Sequence, residues 1–493
     1  MTSSPVYAAL DLGSNSFHLL VATFNDEQLV VIDSLKVSVQ LAAGLQSDKT
    51  LSPEAISRAL DALALFADRL QAVDRRYLRV TGTSTLRQAK NADTLLEQAE
   101  RLLNAPIDII SGVEEARLIY LGVSKDYSPQ KRRLIIDIGG GSTECVVGRL
   151  EPEQLQSLHL GCVSLTRRFF ADGRISRKRY QKALTAARLD IQDIAHGIRS
   201  SRWKEAVGAS GTIRAVHDVL QQHYQQPLIT LAGIERLAEA IQDCGHCDAL
   251  DFRGLSDSRR NILAGGLAIL HALFIEFGIR EMHSTDHAIR EGIIYEMAGM
   301  VVQKGRHEKT IRQLQQQYRV DVRQAERVSE LAQAFLAQLD SRQAGREERA
   351  ALLGYAAALH EIGLPINHNG YQKHGAYIVE NSFMPGFSRQ MQQSIAYLVG
   401  NHRRKIRDSA AHYRVSHDKR LLIALRLAFL FCRRRSKPVL PKKMQLAFAN
   451  GVLSLGISDS WLQRHPMSLA DLQQEAHLLH NAGVTLLLNG KKP

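Results

Sequence analysis

Cysteine is scarce in this 493-residue sequence. Five are present (Cys145, Cys162, Cys244, Cys247 and Cys432). An odd, sparse set in a long chain excludes a disulfide framework and points to a reducing compartment. The nearest approach to a cysteine motif is Cys244-Gly245-His246-Cys247. A redox centre would need an apolar strand before it, which Ile241-Gln242-Asp243 is not, and a structural zinc site would need a second ligand pair, which does not follow. The segment reads as a loop. No apolar run is long enough to cross a bilayer, and MTSSPVYAALDLG lacks a basic region followed by an apolar stretch and a cleavage site. A cytoplasmic protein is expected, or one peripheral on the inner membrane face.

Acidic residues are short in one place. Residues 401–450 hold 14 Lys+Arg against two acids, Asp408 and Asp418, and residues 301–493 hold 29 against 14, whereas residues 1–300 hold 34 against 36. A segregated positive field attracts phosphate-rich polymers, nucleotides or an anionic membrane face. Over the whole sequence the composition, 45% hydrophobic and 23% charged, is that of an ordinary soluble protein. The length exceeds what one core can use and suggests roughly three or four domains.

An internal repeat organises the first 300 residues. Tyr7-Ala-Ala-Leu-Asp-Leu-Gly-Ser-Asn-Ser16 and Leu134-Ile-Ile-Asp-Ile-Gly-Gly-Gly-Ser-Thr143 share an apolar run, an Asp, an apolar residue, Gly and a small polar turn. Each reads as a β-hairpin. Helices fit 53–73, 84–103 and 112–123 after the first copy, with strands near 77–81 and 106–110. After the second, helices fit 176–197, 211–223, 256–277 and 286–303, with strands near 204–209 and 279–283. The pattern is a duplicated α/β fold with a cleft between lobes. Strand signals fade after about 305, where helices fit 308–317, 322–340, 346–361, 386–400 and 418–432; residues 436–493 look mixed. The expected domains are 1–122, 123–304, 305–435 and 436–493.

A Gly/Ser turn between strands aims successive N–H groups into a concavity that suits phosphate oxygens. Gly13, Ser14, Asn15 and Ser16 form one such turn, and Gly139, Gly140, Gly141, Ser142 and Thr143 the other. Neither is a dinucleotide fingerprint or a Walker loop, because each turn leads to a strand and no Gly-Lys-Ser/Thr is present.

Asp11-Leu-Gly-Ser-Asn-Ser-Phe-His18 and Asp137-Ile-Gly-Gly-Gly-Ser-Thr-Glu144 resemble the exopolyphosphatase/guanosine pentaphosphatase family. Further similar segments are Gly82-Thr-Ser-Thr-Leu-Arg87, Ser111-Gly-Val-Glu-Glu-Ala-Arg117, Gly161-Cys-Val-Ser164, Gly208-Ala-Ser-Gly-Thr212 and Ile289-Arg-Glu-Gly292. The resemblance implies an actin/Hsp70/sugar-kinase-like two-lobed core, a divalent metal such as Mg²⁺, and hydrolysis of phosphoanhydride bonds. It places the catalytic glutamate in the segment Ser111–Ala116. There Ser111 and Glu114 form a capping-box pair, while Glu115 points about 100° away around the helix. Glu115 is therefore assigned as general base.

Asp137 and Glu144 are candidate metal ligands, Arg87 a phosphate clamp, and Asp11 a residue that orients the first turn. One departure from the family pattern is His287, where many relatives carry Gly. Ala358-Leu-His-Glu-Ile-Gly363 resembles the core of HD phosphohydrolases with Glu361 where Asp is expected, a degenerate site. His374, Arg403, Arg404, Arg433 and Arg434 are candidates for substrate handling.

The expected substrate is inorganic polyphosphate, with guanosine pentaphosphate as the alternative. A small-molecule kinase of the same fold and a non-catalytic polyanion-binding protein are the rivals from other classes. A homodimer is expected, with no specific nucleic acid and at most weak association with an anionic membrane surface.

Overall fold

The computed structural model describes residues 5–25, 28–127, 130–299, 306–343, 345–382, 384–407, 418–436, 440–441 and 443–492. Lys437, the 304/305 boundary and residues 300–303 of an expected helix lie outside them. The chain forms two compact units, residues 1–304 and 305–493.

In the first unit each sequence repeat becomes a hairpin at the centre of a sheet. Strands β1 (Tyr7–Leu12), β2 (Ser16–Asn25), β3 (Gln28–Ser38), β4 (Leu78–Gly82) and β5 (Ile107–Ile109) lie in the order β3-β2-β1-β4-β5. Strands β6 (Arg133–Ile138), β7 (Thr143–Gly148), β8 (Pro152–Leu158), β9 (Glu205–Ala209), β10 (Ile229–Thr230) and β11 (Glu281–Ser284) lie in the order β10-β11-β9-β6-β7-β8. In both sheets three antiparallel strands are followed by two parallel neighbours, and the second sheet ends in β10, antiparallel to β11. The central strands YAALDL and RLIIDI are buried on both faces, as strands covered by helices must be. The register sets Asp11 opposite His18 and Asp137 opposite Glu144. This is an actin-like two-lobed core. The third strand of each half, β3 and β8, goes beyond the hairpins that the sequence pattern predicts.

Helices α1 (Pro53–Arg69), α2 (Ser84–Gln88), α3 (Ala92–Leu103) and α4 (Gly112–Ser124) belong to the first half. The single helix expected over 84–103 breaks in two because Asn91 is tied through its side-chain amide to both backbone groups of Leu51. The second half carries α5 (Cys162–Phe169), α6 (Arg177–Ser200), α7 (Ser210–Tyr224), α8 (Leu231–Cys244), α9 (Asp257–Phe277) and α10 (Ile289–Met297). By length and composition α9 alone among the described helices could cross a membrane, contrary to the sequence expectation. Its apolar window is 78% buried within the unit, so its hydrophobicity is that of a core helix.

The last helices of the two halves, α4 and α10, meet at two glycines. A Cβ on Gly292 would stand 1.9 Å from the Leu118 carbonyl, and one on Gly122 would stand 2.0 Å from the Ala288 carbonyl. A buried ion network flanks this crossing: Arg117 grips Glu114 through Nε at 2.8 Å and Nη2 at 2.6 Å, and Glu296 of α10 takes both Arg117 and Arg79.

The second unit contains α11 (Arg306–Gln317), α12 (Val322–Leu339), α13 (Arg346–Leu359), α14 (Tyr371–Asn381), α15 (Arg389–Asn401), α16 (Lys419–Cys432), α17 (Asp459–Arg464) and α18 (Pro466–His480). A small sheet, β12 (Gln445–Ala449), β13 (Val452–Gly456) and β14 (Thr485–Leu488), follows the helical domain. One apolar core runs through both parts, joining Leu336 and Leu425 to Trp461 and Leu486.

Gly292→Ala should lower unfolding stability by about 1–3 kcal/mol, the usual cost of overpacking, measured by denaturant titration. An unchanged midpoint would show that α4 and α10 separate freely.

Candidate active site

Both Gly/Ser turns line one cavity of about 120 Å³ in the first unit. Gly13, Ser14, Asn15 and Ser16 come from the first turn, and Gly139, Gly140 and Ser142 from the second. The turns are held from behind. Asn15 O accepts the Val39 and Gln40 amides at 3.0 and 2.8 Å, and Gly139 N donates to Ser142 O at 2.9 Å. They also approach each other, since a Cβ on Gly140 would stand 3.0 Å from Ser14 Cβ. A side chain at Gly140 would press on Ser14 of the facing turn. Gly141 lies against Ser84 and does not line the cavity; nor does Thr143, which is buried and donates its hydroxyl to Leu160 O.

Glu115 sits in the first turn of α4 and lines the cavity. Its neighbour Glu114 is 1% exposed and spent in the Arg117 pair, while Ser111 Oγ caps the helix by accepting the Glu114 amide at 3.1 Å. The structural duty expected of Glu114 is thus chiefly a buried ion pair. Arg87 is not a free phosphate clamp: Nη1 donates to Glu115 Oε2 at 2.8 Å and to Ile110 O at 2.9 Å, and Arg87 does not line the cavity. It fixes the Glu115 carboxylate instead.

Four carboxylates crowd this region. Burial, then the Glu115 charge, pushes Asp11 up to about 8, Arg290 opposing it and Asp137 adding to it. Burial and Glu115 push Asp137 up to about 7 against Arg214, Arg259 and Arg290. Glu144 is held well above the usual carboxylate range by burial, Glu115 and Asp137. Of the two expected metal ligands only Asp137 lines the cavity; Glu144, 1% exposed, accepts from Ser157 Oγ at 2.9 Å behind it. Asp11 also lines the cavity, and its Oδ1 is buried with no hydrogen-bond partner among the described residues.

An orphaned carboxylate oxygen beside a second carboxylate, both held up in pKa, fits a hard divalent cation that keeps several waters. Three carboxylates do not converge directly. Among the described residues the one trio of His, Cys, Asp or Glu donor atoms within 4.8 Å of one another is His246, Cys247 and Asp248, none of which lines the cavity. Both nitrogens of His246 there face backbone partners, Asp172 O and Asp248 N, as befits a loop.

Opposite the acids stand three arginines not assigned from sequence. Arg214 of α7, Arg259 of α9 and Arg290 of α10 line the cavity with His18, Thr83 and Asp286. Arg214 Nη1 pairs with the exposed Asp286 at 2.6 Å. Burial, followed by Arg290, Lys36, Arg259 and Arg214, lowers His18 to about 2 and keeps it neutral. Arg290 falls inside the family-like segment Ile289–Gly292, and Arg214 stands two residues past Gly208–Thr212; the sign available was that each follows a turn entering a helix. Arg259 carried no comparable signal.

The remaining candidates lie in the second unit. Arg403, Arg404 and Arg433 line a separate cavity of about 140 Å³ with His402 and Arg426. Arg434 is exposed outside it. Much of the local positive charge is already paired: Arg426 is buried in a two-pronged bond to Glu475, Arg433 pairs with Asp471, and Arg435 pairs with Asp321 and Glu361. Arg403 lies over the Tyr371 and Phe429 rings at 4.7 and 5.7 Å. His374 is half-buried on α14 against Gly363. Against the HD-like segment, His402 at the end of α15 packs edge-on to buried His360 at 5.3 Å, a second histidine the sequence did not locate, and Arg435 Nη2 holds Glu361 at 2.7 Å.

On an actin-like duplicated core, paired Gly/Ser turns, acids and arginines line one cavity, an arrangement suited to phosphoryl groups. Residues 20–300 match the Ppx/GppA phosphatase family and residues 307–476 match domain III of the Ppx/GppA phosphatases; this chain belongs to that family, whose members are phosphohydrolases. Its fold is similar to an exopolyphosphatase from Cytophaga hutchinsonii, at 24% identity and a TM-score of 0.56 over 60% of this chain and 98% of that one. It is also similar to the Aquifex aeolicus PPX-GPPA enzyme, at 23% identity and a TM-score of 0.50 over 59% and 99%.

The raised carboxylates give a signed prediction. Their stabilising contribution is complete below the ordinary 3.8 of an Asp and is lost progressively as the pH rises through about 7 and 8. In excess chelator the thermal midpoint should therefore fall between about pH 5 and about pH 8.5. Millimolar Mg²⁺ should raise it more at the alkaline end. Equal Mg²⁺ shifts at both pH values would contradict the assignment of Asp11 and Asp137.

Proposed function

We propose that this protein is an exopolyphosphatase that removes terminal phosphates from inorganic polyphosphate one at a time, releasing orthophosphate. The observation that carries the reading is the cavity in which two N–H-rich turns, Glu115 and the Arg214, Arg259 and Arg290 side chains meet. The turns take the terminal phosphoryl oxygens through backbone N–H groups. The three arginines neutralise charge that grows as the phosphoanhydride bond breaks. Glu115, steadied by Arg87, accepts a proton from the attacking water. A divalent cation held by Asp11 and Asp137, with Glu144 behind them, would add charge neutralisation on the phosphate oxygens.

Guanosine pentaphosphate, cleaved at its 5′ terminal phosphate, would use the same parts. A long polyanion is favoured by Arg403 and Arg404, which line a cavity of the second unit where Arg433 is already paired with Asp471. The free cysteines agree with a cytoplasmic location, and we expect a homodimer there.

Phosphate release from long polyphosphate and from guanosine pentaphosphate, measured side by side, tests the reading. Higher kcat/KM on polyphosphate supports it, and preference for the nucleotide overturns it. Neutralising Arg403 and Arg404 should raise KM for long polyphosphate several-fold more than for a short oligomer. The slope of log affinity against log salt should flatten by about 0.7 for each substrate phosphate that is no longer neutralised. Equal effects on long and short substrates would remove the second unit from substrate binding.

A further inference from the structure

The turn that enters α10 makes two ion pairs. Asp286 takes Arg214 of α7 at 2.6 Å, and His287 Nδ1 lies against Asp126 Oδ2, two residues beyond the end of α4. Asp286, Ala288, Ile289 and Arg290 all line the cavity, and His287 is the member of this run that does not. The backbone of the turn is satisfied locally. His287 N donates to Thr285 Oγ1 at 3.2 Å, and Ala288 N donates to Glu291 Oε2 at 2.7 Å. These bonds fix the turn's shape, the Gly122–Ala288 approach packs it on α4, and the His287–Asp126 pair adds a charged tie beside that packing. It is an ion pair without aligned hydrogen-bond geometry, and both side chains are about one-third exposed.

We propose that His287 is a positioning residue: its ion pair with Asp126 ties the Asp286–Arg290 turn to the end of α4, and so sets where Arg290 stands in the phosphate-binding cavity. The inference rests on the reading of that cavity as a phosphate site. Helix α4 carries Glu115 in its first turn and is followed by Asp126, so the pair couples the base-bearing helix to the arginine-bearing turn. The pair also lies beside the tight Gly122–Ala288 approach, where small shifts of the turn move α10 against α4.

Three charged groups act on His287. Asp126 faces it from beyond α4, Asp286 from its own turn, and Glu291 from the first turn of α10. Lys125, next to Asp126, lies over the Tyr295 ring at 5.8 Å. The Asp126 carboxylate holds His287 above its ordinary 6.5, against partial burial and with help from Glu291 and Asp286. Glu291 in turn lies 3.7 Å from Arg290. With the histidine pKa raised, the pair is fully formed below 6.5 and is lost as the pH rises through the raised value. Arg290 is then less firmly placed in alkaline solution, and substrate affinity falls while the base is untouched.

Calorimetric binding of tripolyphosphate to the full chain, alongside steady-state phosphate release, tests this in Asp126→Asn, His287→Gly and His287→Arg. At about pH 6 the first two should weaken tripolyphosphate binding and raise KM by about threefold to fivefold, the range of a part-exposed ion pair, with kcat within about twofold. His287→Arg, charged at every pH, should hold the acid-side affinity to about pH 8.5, where the parent protein loses it. Unchanged affinity in both Asp126→Asn and His287→Gly overturns the proposal, as does a His287→Arg profile that follows the parent. Altered tripolyphosphate binding without any phosphate release would sustain the positioning role and sink the hydrolase reading instead.

Discussion

The first unit is organised around an electrostatic opposition. Burial first, and the neighbouring carboxylate charges second, hold Asp11, Asp137 and Glu144 well up in pKa, and Arg214, Arg259 and Arg290 share with Asp11 and Asp137 a cavity of about 120 Å³. Neither set would be stable alone at such density, because buried like charges are costly. Under the proposed function, such a site suits a ligand bearing both signs, an anionic phosphate chain with a divalent cation, and the two turns would add N–H groups for phosphate oxygens at no cost in further charge.

The scaffold holds this opposition in place through chain duplication. Equivalent hairpins put Asp11 and Asp137 at matching strand ends, and the Gly140–Ser14 approach brings the turns together. The α4–α10 crossing, closed by Gly122 and Gly292 and by the Glu114–Arg117–Glu296–Arg79 ions, joins the half that carries Glu115 to the half that carries Arg290. Close glycine packing and a buried network hold the halves together, and a part-exposed pair such as His287–Asp126, individually weak, only adjusts the turn upon them.

Much of this was legible beforehand because it is local. The hairpin repeat, the turn glycines and the Ser111 cap each occupy a few consecutive residues. What was not legible depends on distant partners. Arg87 looked like a clamp because nothing in Gly82–Arg87 reveals Glu115, 28 positions on. Glu144 is a metal-ligand candidate because it flanks the second turn, whereas its bond to Ser157 of β8 is not visible in the hairpin. Arg259 stands at the start of a helix whose apolar character says only core. The basic stretch 401–450 overstated its free charge, since Arg426, Arg433 and Arg435 find acids far along the chain.

The central claim is that Glu115, held by Arg87 at the meeting of the two turns, activates the water that cuts a terminal phosphoanhydride bond. The direct measurement is polyphosphate binding and phosphate release by Glu115→Gln, with Glu114→Gln as its companion. Glu115→Gln should bind polyphosphate within about threefold of the parent and lose catalysis by about 10²-fold or more, the typical worth of a general base; Glu114→Gln should chiefly lose stability. A Glu115→Gln protein that turns over at the parent rate while Glu114→Gln is inactive would contradict the account.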